Sequence, residues 1–267
     1  MITIVGERLN STRRAVAAAI AERNADFVRK EAVAQAEAGA DFLDVNAAAC
    51  LAQEIDALRW MIDVVQEAVA TPLCIDSPSA EAIAAGLEAA HGEVLVNSIT
   101  AERERAEQIL PLVRDRGARV VGLTMSESGM PSTAAQRRDL AREIVELAAK
   151  HGIPADHVYI DALVRPVSTE SAQGRGFLEG VRAIRDAGTG AHVICGLSNV
   201  SFGLPRRRLL NRTFLAMAMA MGLDAAIVDP LDQWLMATMR AGCALLEMDE
   251  FCVEYLAAHR KGALGDD

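Results

Sequence analysis

Short, almost wholly apolar runs recur along the chain, at Ile2–Val5, Phe42–Val45, Leu73–Ile75, Val94–Val96, Arg119–Leu123, Val158–Ile160, Val193–Leu197 and Ala225–Val228. Between them lie stretches rich in Ala, Glu, Arg and Leu with apolar residues at helical spacing, clearest in Ala80–Ala90, Glu102–Arg116 and Ala134–Lys150. Gly39, Gly92, Gly117, Gly152, Gly188 and Gly222 each stand a few residues before the next apolar run, where a helix needs a stop. Runs without polar alternation predict strands buried on both faces, as in a parallel sheet covered by helices. Eight such units predict closure: an α/β protein, a single-domain (β/α)8 TIM barrel over residues 1–267. An open doubly wound sheet is the lesser alternative, since no G-x-G-x-x-G follows the first strand.

Composition narrows the class. With 267 residues, 51% of them hydrophobic, the chain can bury one large core. Met1–Gly6 already reads as a strand, which leaves no room for a charged leader and apolar targeting stretch, so the expected location is cytoplasmic. The longest apolar run, Phe214–Val228, is broken by Gly222 and Asp224 and falls short of the roughly 18 residues a membrane span needs; it reads as a buried helix followed by a strand. A net charge of −10 opposes nonspecific attraction to nucleic acid or to anionic membranes, and Arg206–Arg208 is the compact basic cluster. The five cysteines, Cys50, Cys74, Cys195, Cys243 and Cys252, show no C-x-x-C spacing and read as reduced thiols rather than metal ligands. The acidic tail Gly265–Asp267 is expected to fray.

In a barrel the active site forms at the C-terminal ends of the strands. There the polar residues collect: Glu7 and Asn10 after strand one, Asp44 and Asn46 at strand two, Asp76 at three, Asn97 at four, Thr124 at five, Asp161 at six, Ser198 and Asn199 at seven, Asp229 at eight. Any one of these can instead cap the following helix. Ser79 and Thr100 are placed for that role after strands three and four, which leaves Asp76 and Asn97 spare. Converging carboxylates without partners are costly, so the group predicts a ligand rich in N–H donors. No lysine stands at a strand end, since Lys30, Lys150 and Lys261 fall in helical or tail segments, and this excludes Schiff-base chemistry. His157 and His192 begin strands six and seven, on the opposite face, so no His-based metal site is expected at the mouth and no bound metal is assigned. A flat heterocycle such as a pterin suits what remains: one carboxylate can accept its 2-amino and N3–H donors together, and Asn matches a mixed edge.

The segments Gly6–Asn10, Leu43–Asn46, Cys74–Ser77, Val96–Ser98, Gly122–Met125, Tyr159–Asp161, Gly196–Ser201, Asn211–Met219 and Gly222–Ala226 together resemble the methyltetrahydrofolate:corrinoid protein methyltransferases of the pterin-binding barrel superfamily. The resemblance runs nearly end to end. It implies tetrahydrofolate or 5-methyltetrahydrofolate as substrate, a corrinoid (cobalamin) carried by a partner protein, and a homodimer. It also implies that Asp76, Asn97 and Asp161 hold the pterin ring and that Asn199 is the catalytic residue beside N5. Ser198, Glu7, Asn10, Asp44, Asn46 and Arg207 complete the expected substrate-binding set. The loop Ser201–Pro205 is similar to the folate domain of cobalamin-dependent methionine synthase, while the strand-end lysine and the Arg-x-His of dihydropteroate synthase are missing. No D-x-H-x-x-G corrinoid signature occurs, so the corrinoid must come on another chain. Two other functions remain: a non-catalytic folate-binding module that docks to a corrinoid partner, and a synthase-type pterin enzyme.

Overall fold

Eight parallel strands stand in the order β7-β6-β5-β4-β3-β2-β1-β8. They are β1 (Thr3–Asn10), β2 (Phe42–Asn46), β3 (Leu73–Asp76), β4 (Val94–Thr100), β5 (Arg119–Leu123), β6 (Val158–Asp161), β7 (His192–Ile194) and β8 (Ala225–Val228). The computed structural model describes residues 1–265. The helices are α1 (Arg14–Ala21), α2 (Ala25–Glu37), α3 (Glu54–Ala68), α4 (Ala80–Ala89), α5 (Arg103–Arg116), α6 (Ala134–Lys150), α7 (Gln173–Asp186), α8 (Arg207–Ala220), α9 (Gln233–Leu245) and α10 (Val253–Arg260). Between β7 and β8 the seam is drawn together by a parallel bridge, Gly196 to Ile227, and by Ile227 N–H donating to Cys195 O at 2.9 Å. The architecture is the expected (β/α)8 barrel.

Every strand places one side chain in a closed inner layer: Val5, Phe42, Cys74, Leu95, Val121, Tyr159, Ile194 and Ala225. Since strand side chains alternate faces, residues two positions further on project into the same interior nearer the C-terminal mouth. Those residues are Glu7, Asp44, Asp76, Asn97, Leu123, Asp161, Gly196 and Ile227. The apolar layer is thus the floor on which an acidic layer stands. A second, larger core lies between strands and helices, with Leu43, Ile75, Val96 and Val120 facing Leu58, Ile83, Ile109 and Ile144. Gly117 ends α5 at φ 65°, ψ 29°, a left-handed stop of the kind the glycine pattern announced.

Several boundaries differ from the sequence reading. β1 continues to Asn10 with a register slip between Gly6 and Leu9, so Glu7 and Asn10 lie within the strand rather than after it. β4 likewise runs past Asn97 to Thr100, slipping between Asn97 and Ile99. Thr100 does not cap α5: it is buried in the strand, and its hydroxyl accepts from Glu102 N–H. β7 stops at Ile194, and Leu197–Ser201 is a short 3-10 helix, because the chain there turns over the mouth instead of continuing the ladder. Gly265 lies against the Trp234 ring, while Asp266 and Asp267 of the expected frayed tail fall outside the described residues. No helix among the described residues is long and apolar enough to cross a membrane.

Candidate active site

A cavity of about 560 Å³ opens at the C-terminal mouth, lined by Glu7, Asn10, Asp44, Asp76, Asn97, Ser198, Asn199 and Arg207 among others. All eight were singled out from sequence. Asn46 and Asp161 were expected there too, but neither forms part of the cavity lining. Asn46 is consumed by its neighbours: its amide donates to Asp76 Oδ2 at 2.9 Å, and its Oδ1 accepts from Ser11 Oγ and Ala48 N–H. It therefore aims Asp76. Asp161 is buried at the end of β6, where its Oδ1 accepts from Leu163 N–H at 2.7 Å.

Burial governs the electrostatics of the acidic layer. Asp44 is 2% exposed, and among the described residues its Oδ1 has no hydrogen-bond partner. Its carboxyl is pushed well above the ordinary range by that burial and by the Asp76 charge beside it. Asp76 is raised by burial as well, against the amide of Asn46, and Glu54 adds to the rise. Glu7 is raised by burial, which the hydroxyl of Ser198 partly offsets by donating to Oε2 at 3.0 Å. Asp161 is pushed up to about 6 by burial, opposed by the backbone N–H groups of Leu163 and Gly196. The site is acidic, and burial holds its carboxyls toward the protonated form.

Above this layer lies the loop between β7 and α8. Asn199 is solvent-exposed on the cavity wall, and among the described residues its amide has no hydrogen-bond partner. Gly196 lets it stand close, since a Cβ there would sit 3.2 Å from Asn199 Nδ2. Arg207 fastens the loop, donating from Nη2 to Ser198 O at 2.7 Å and from Nε to Ser201 Oγ at 3.1 Å. It belongs to the first turn of α8 rather than to a loop, and it lies over the ring of Phe202. Arg13, Arg208, Asn211 and Asp229 also line the cavity. Arg208 belongs to the basic cluster Arg206–Arg208 seen in the sequence, whereas Arg13 and Asn211 were not placed there because neither stands at a strand end; Asn211 stands one turn into a helix, and Arg13 just before one. Among the described residues no cluster of His, Cys, Asp and Glu is arranged to hold a metal ion.

Residues 6–229 match the family of pterin binding enzymes. The chain belongs to the pterin-binding enzymes. Within that family it is 39% identical over 264 residues, 98% of its own length and 97% of the relative's, to the methylcorrinoid:tetrahydrofolate methyltransferase of Eubacterium limosum. It is 31% identical over 169 residues to methionine synthase of Mycobacterium tuberculosis, which corresponds to 59% of this chain but 14% of that longer protein. Among solved structures it is similar to dihydropteroate synthase of Xanthomonas albilineans in complex with 7,8-dihydropteroate, at a TM-score of 0.69 and 20% identity, covering 93% of this chain and 94% of that one. That likeness concerns the fold. In this pterin-binding enzyme the acidic layer and the Asn199 loop face one another across the mouth.

Proposed function

We propose that this pterin-binding enzyme moves a methyl group between N5 of tetrahydrofolate and the cobalt of a corrinoid carried by a partner protein. One observation carries the reading: Asn199 presents an uncommitted amide to the same cavity into which Asp76 and Asn97 point from neighbouring strands. Binding a pterin would require only the acidic layer. A polar group poised across from it suits chemistry at a ring nitrogen. The full-length likeness to a transferase named for methylcorrinoid and tetrahydrofolate supports the same reading.

Asp76 and Asn97 take one edge of the ring, and Asp161, at the same level of the barrel, takes the 2-amino and N3–H donors. In the folate-forming direction the N5 lone pair makes the new C–N bond, and the N5 proton then leaves to solvent held by Asp44 and Asp76. The bound corrinoid supplies cobalt, which keeps the electron pair of the broken carbon–cobalt bond. In the opposite direction N5 is protonated before the methyl departs, because an anionic amine is a poor leaving group. In both directions the Asn199 carbonyl oxygen accepts the hydrogen bond of protonated N5. Arg207, with Arg13 and Arg208 on the rim, offers cations to the carboxylates of a folate tail or to an acidic partner. A homodimer is supported by Met217, Leu245, Leu246 and Phe251, which leave α8, α9 and the turn after α9 apolar and exposed.

The test mixes the purified protein with methyltetrahydrofolate and free reduced cobalamin and follows the absorbance of methylcobalamin. Its appearance supports the transferase. Folate binding without transfer points to a non-catalytic module, and condensation of a pterin diphosphate with p-aminobenzoate to a synthase.

A further inference from the structure

Arg105 occupies the first turn of α5, where the helix dipole disfavours a cation. Its side chain leaves the helix and reaches the end of β3 and the register slip within β4. Nε and Nη2 both donate to Ser98 O, at 3.0 and 2.6 Å. Nη2 also donates to Ser77 O at 3.1 Å, and Nη1 to Pro78 O at 2.6 Å. Ser77 and Ser98 directly follow Asp76 and Asn97, and Pro78 is one residue further on. The two strands are further tied there by Ser77 N–H donating to Asn97 O at 3.0 Å. Among the described residues this half-buried guanidinium hydrogen-bonds only to neutral carbonyls and makes no salt bridge, and the charges of Glu102 and Asp76 offset its burial from further off. A local rule broken in this way marks a working position.

We propose that Arg105 is a positioning residue of the pterin cavity, holding the end of β3 to the register slip of β4 so that Asp76 and Asn97 face the ligand as a pair. The inference rests on the pterin reading above. The fork of a guanidinium serves two strands at once, which the single ammonium of lysine cannot do. The charge has a second effect. Asp76 is faced by Asp44 and Asn46 from β2, by Glu54 from α3 and by Arg105 from α5, with the Cys74 thiol behind it on its own strand. Of the charged groups, Arg105 alone favours the ionised carboxylate, which is the form that accepts N–H donors. Asn199 lies across the barrel and makes no contact with this clamp.

The experiment compares wild type, Arg105→Met and Arg105→Lys by calorimetric titration with tetrahydrofolate from pH 5 to 9, together with kcat and melting temperature. Arg105→Met is expected to bind at least tenfold more weakly, with the pH midpoint of affinity moved upward and kcat at saturating folate within about threefold of wild type. Arg105→Lys, which retains the charge, restores the midpoint but not the affinity, and it serves as the informative variant if Arg105→Met does not fold. Unchanged affinity and midpoint in a variant that only melts lower would overturn the inference and leave Arg105 structural. Wild type that fails to bind tetrahydrofolate overturns the pterin reading and this inference together.

Discussion

Ser198 donates its hydroxyl to Glu7 Oε2 at 3.0 Å, joining the loop that carries Asn199 to β1 across 191 residues of sequence. Among the described residues the Asn199 side chain has no hydrogen-bond partner, so its position depends on its backbone bonds to Gly196 and Phe202 and on the bonds of its neighbours. Glu7→Ala and Ser198→Ala should each lower kcat more than folate affinity. The loss is that of one hydrogen bond to a charged acceptor, about 1.5 to 3 kcal/mol. Because both changes break the same bond, a double-mutant cycle on kcat should show the double variant little worse than either single one. Additive losses would separate Glu7 from the Asn199 loop.

Asp161 gives the site a pH dependence with a definite sign. Its carboxyl is raised to about 6, so the folded chain holds this proton more tightly than the unfolded one. Its contribution to stability is therefore complete below the ordinary carboxylate range and is lost as pH rises through about 6. Ligand binding runs the other way, since N–H donors select the ionised form. Folate affinity should climb as pH rises through 6 and then level off, and it should be roughly tenfold weaker one unit below the midpoint. Asp161→Asn should flatten the part of the profile centred near 6. A wild-type profile that is flat between pH 5 and 7 would remove Asp161 from the binding set.

Asn97 pairs in register with Asp76, and the two point to the same edge of the cavity. Asn97→Ala should weaken folate binding by about 0.5 to 1.5 kcal/mol, the value of one neutral hydrogen bond, with little change in melting temperature. The reverse pattern, a lower melting point with normal binding, would make Asn97 a residue of the barrel framework.

Arg207 is committed to Ser198 O and Ser201 Oγ, so it acts on the loop as well as on any anion at the rim. Arg207→Ala should lower kcat severalfold with free cobalamin, where no partner protein is present. If activity with free cobalamin is untouched and only the salt dependence with a corrinoid protein changes, Arg207 serves the rim alone.

Most of this site was legible in the sequence because barrel geometry is periodic. An apolar strand with a polar residue two positions past its buried one announces both the inner layer and the group above it, as in Cys74 and Asp76 or Leu95 and Asn97. What stayed hidden was set by partners distant in sequence. Asn46 looks like a ligand-binding residue, yet its hydrogen bonds are spent on Asp76, Ser11 and Ala48. Thr100 looks like a cap, yet the register slip in β4 keeps it in the strand. Arg105 resembles any arginine on a helix surface until the end of β3 and the register slip of β4 are seen against it. The strand boundary at Ile194 was missed for a related reason: Cys195, Gly196 and Leu197 suit a strand locally, but the seam with β8 consists of one bridge and lets the chain turn away.

Asn199 carries the central claim, and single-turnover kinetics test it directly. Asn199→Ala is compared with wild type for the rate of methyl transfer and for folate affinity, with folding checked by circular dichroism. If the amide stabilises protonated N5, its bond is stronger in the transition state than with bound substrate, and rate should suffer more than affinity. The expected result is a loss of about 2.7 to 4 kcal/mol, a hundred- to thousandfold in rate, with folate affinity within a few-fold of wild type. Transfer that stays within a few-fold of wild type would contradict the account and make Asn199 a residue of the turn, with N5 stabilisation to be sought at Asp44 or Asp76.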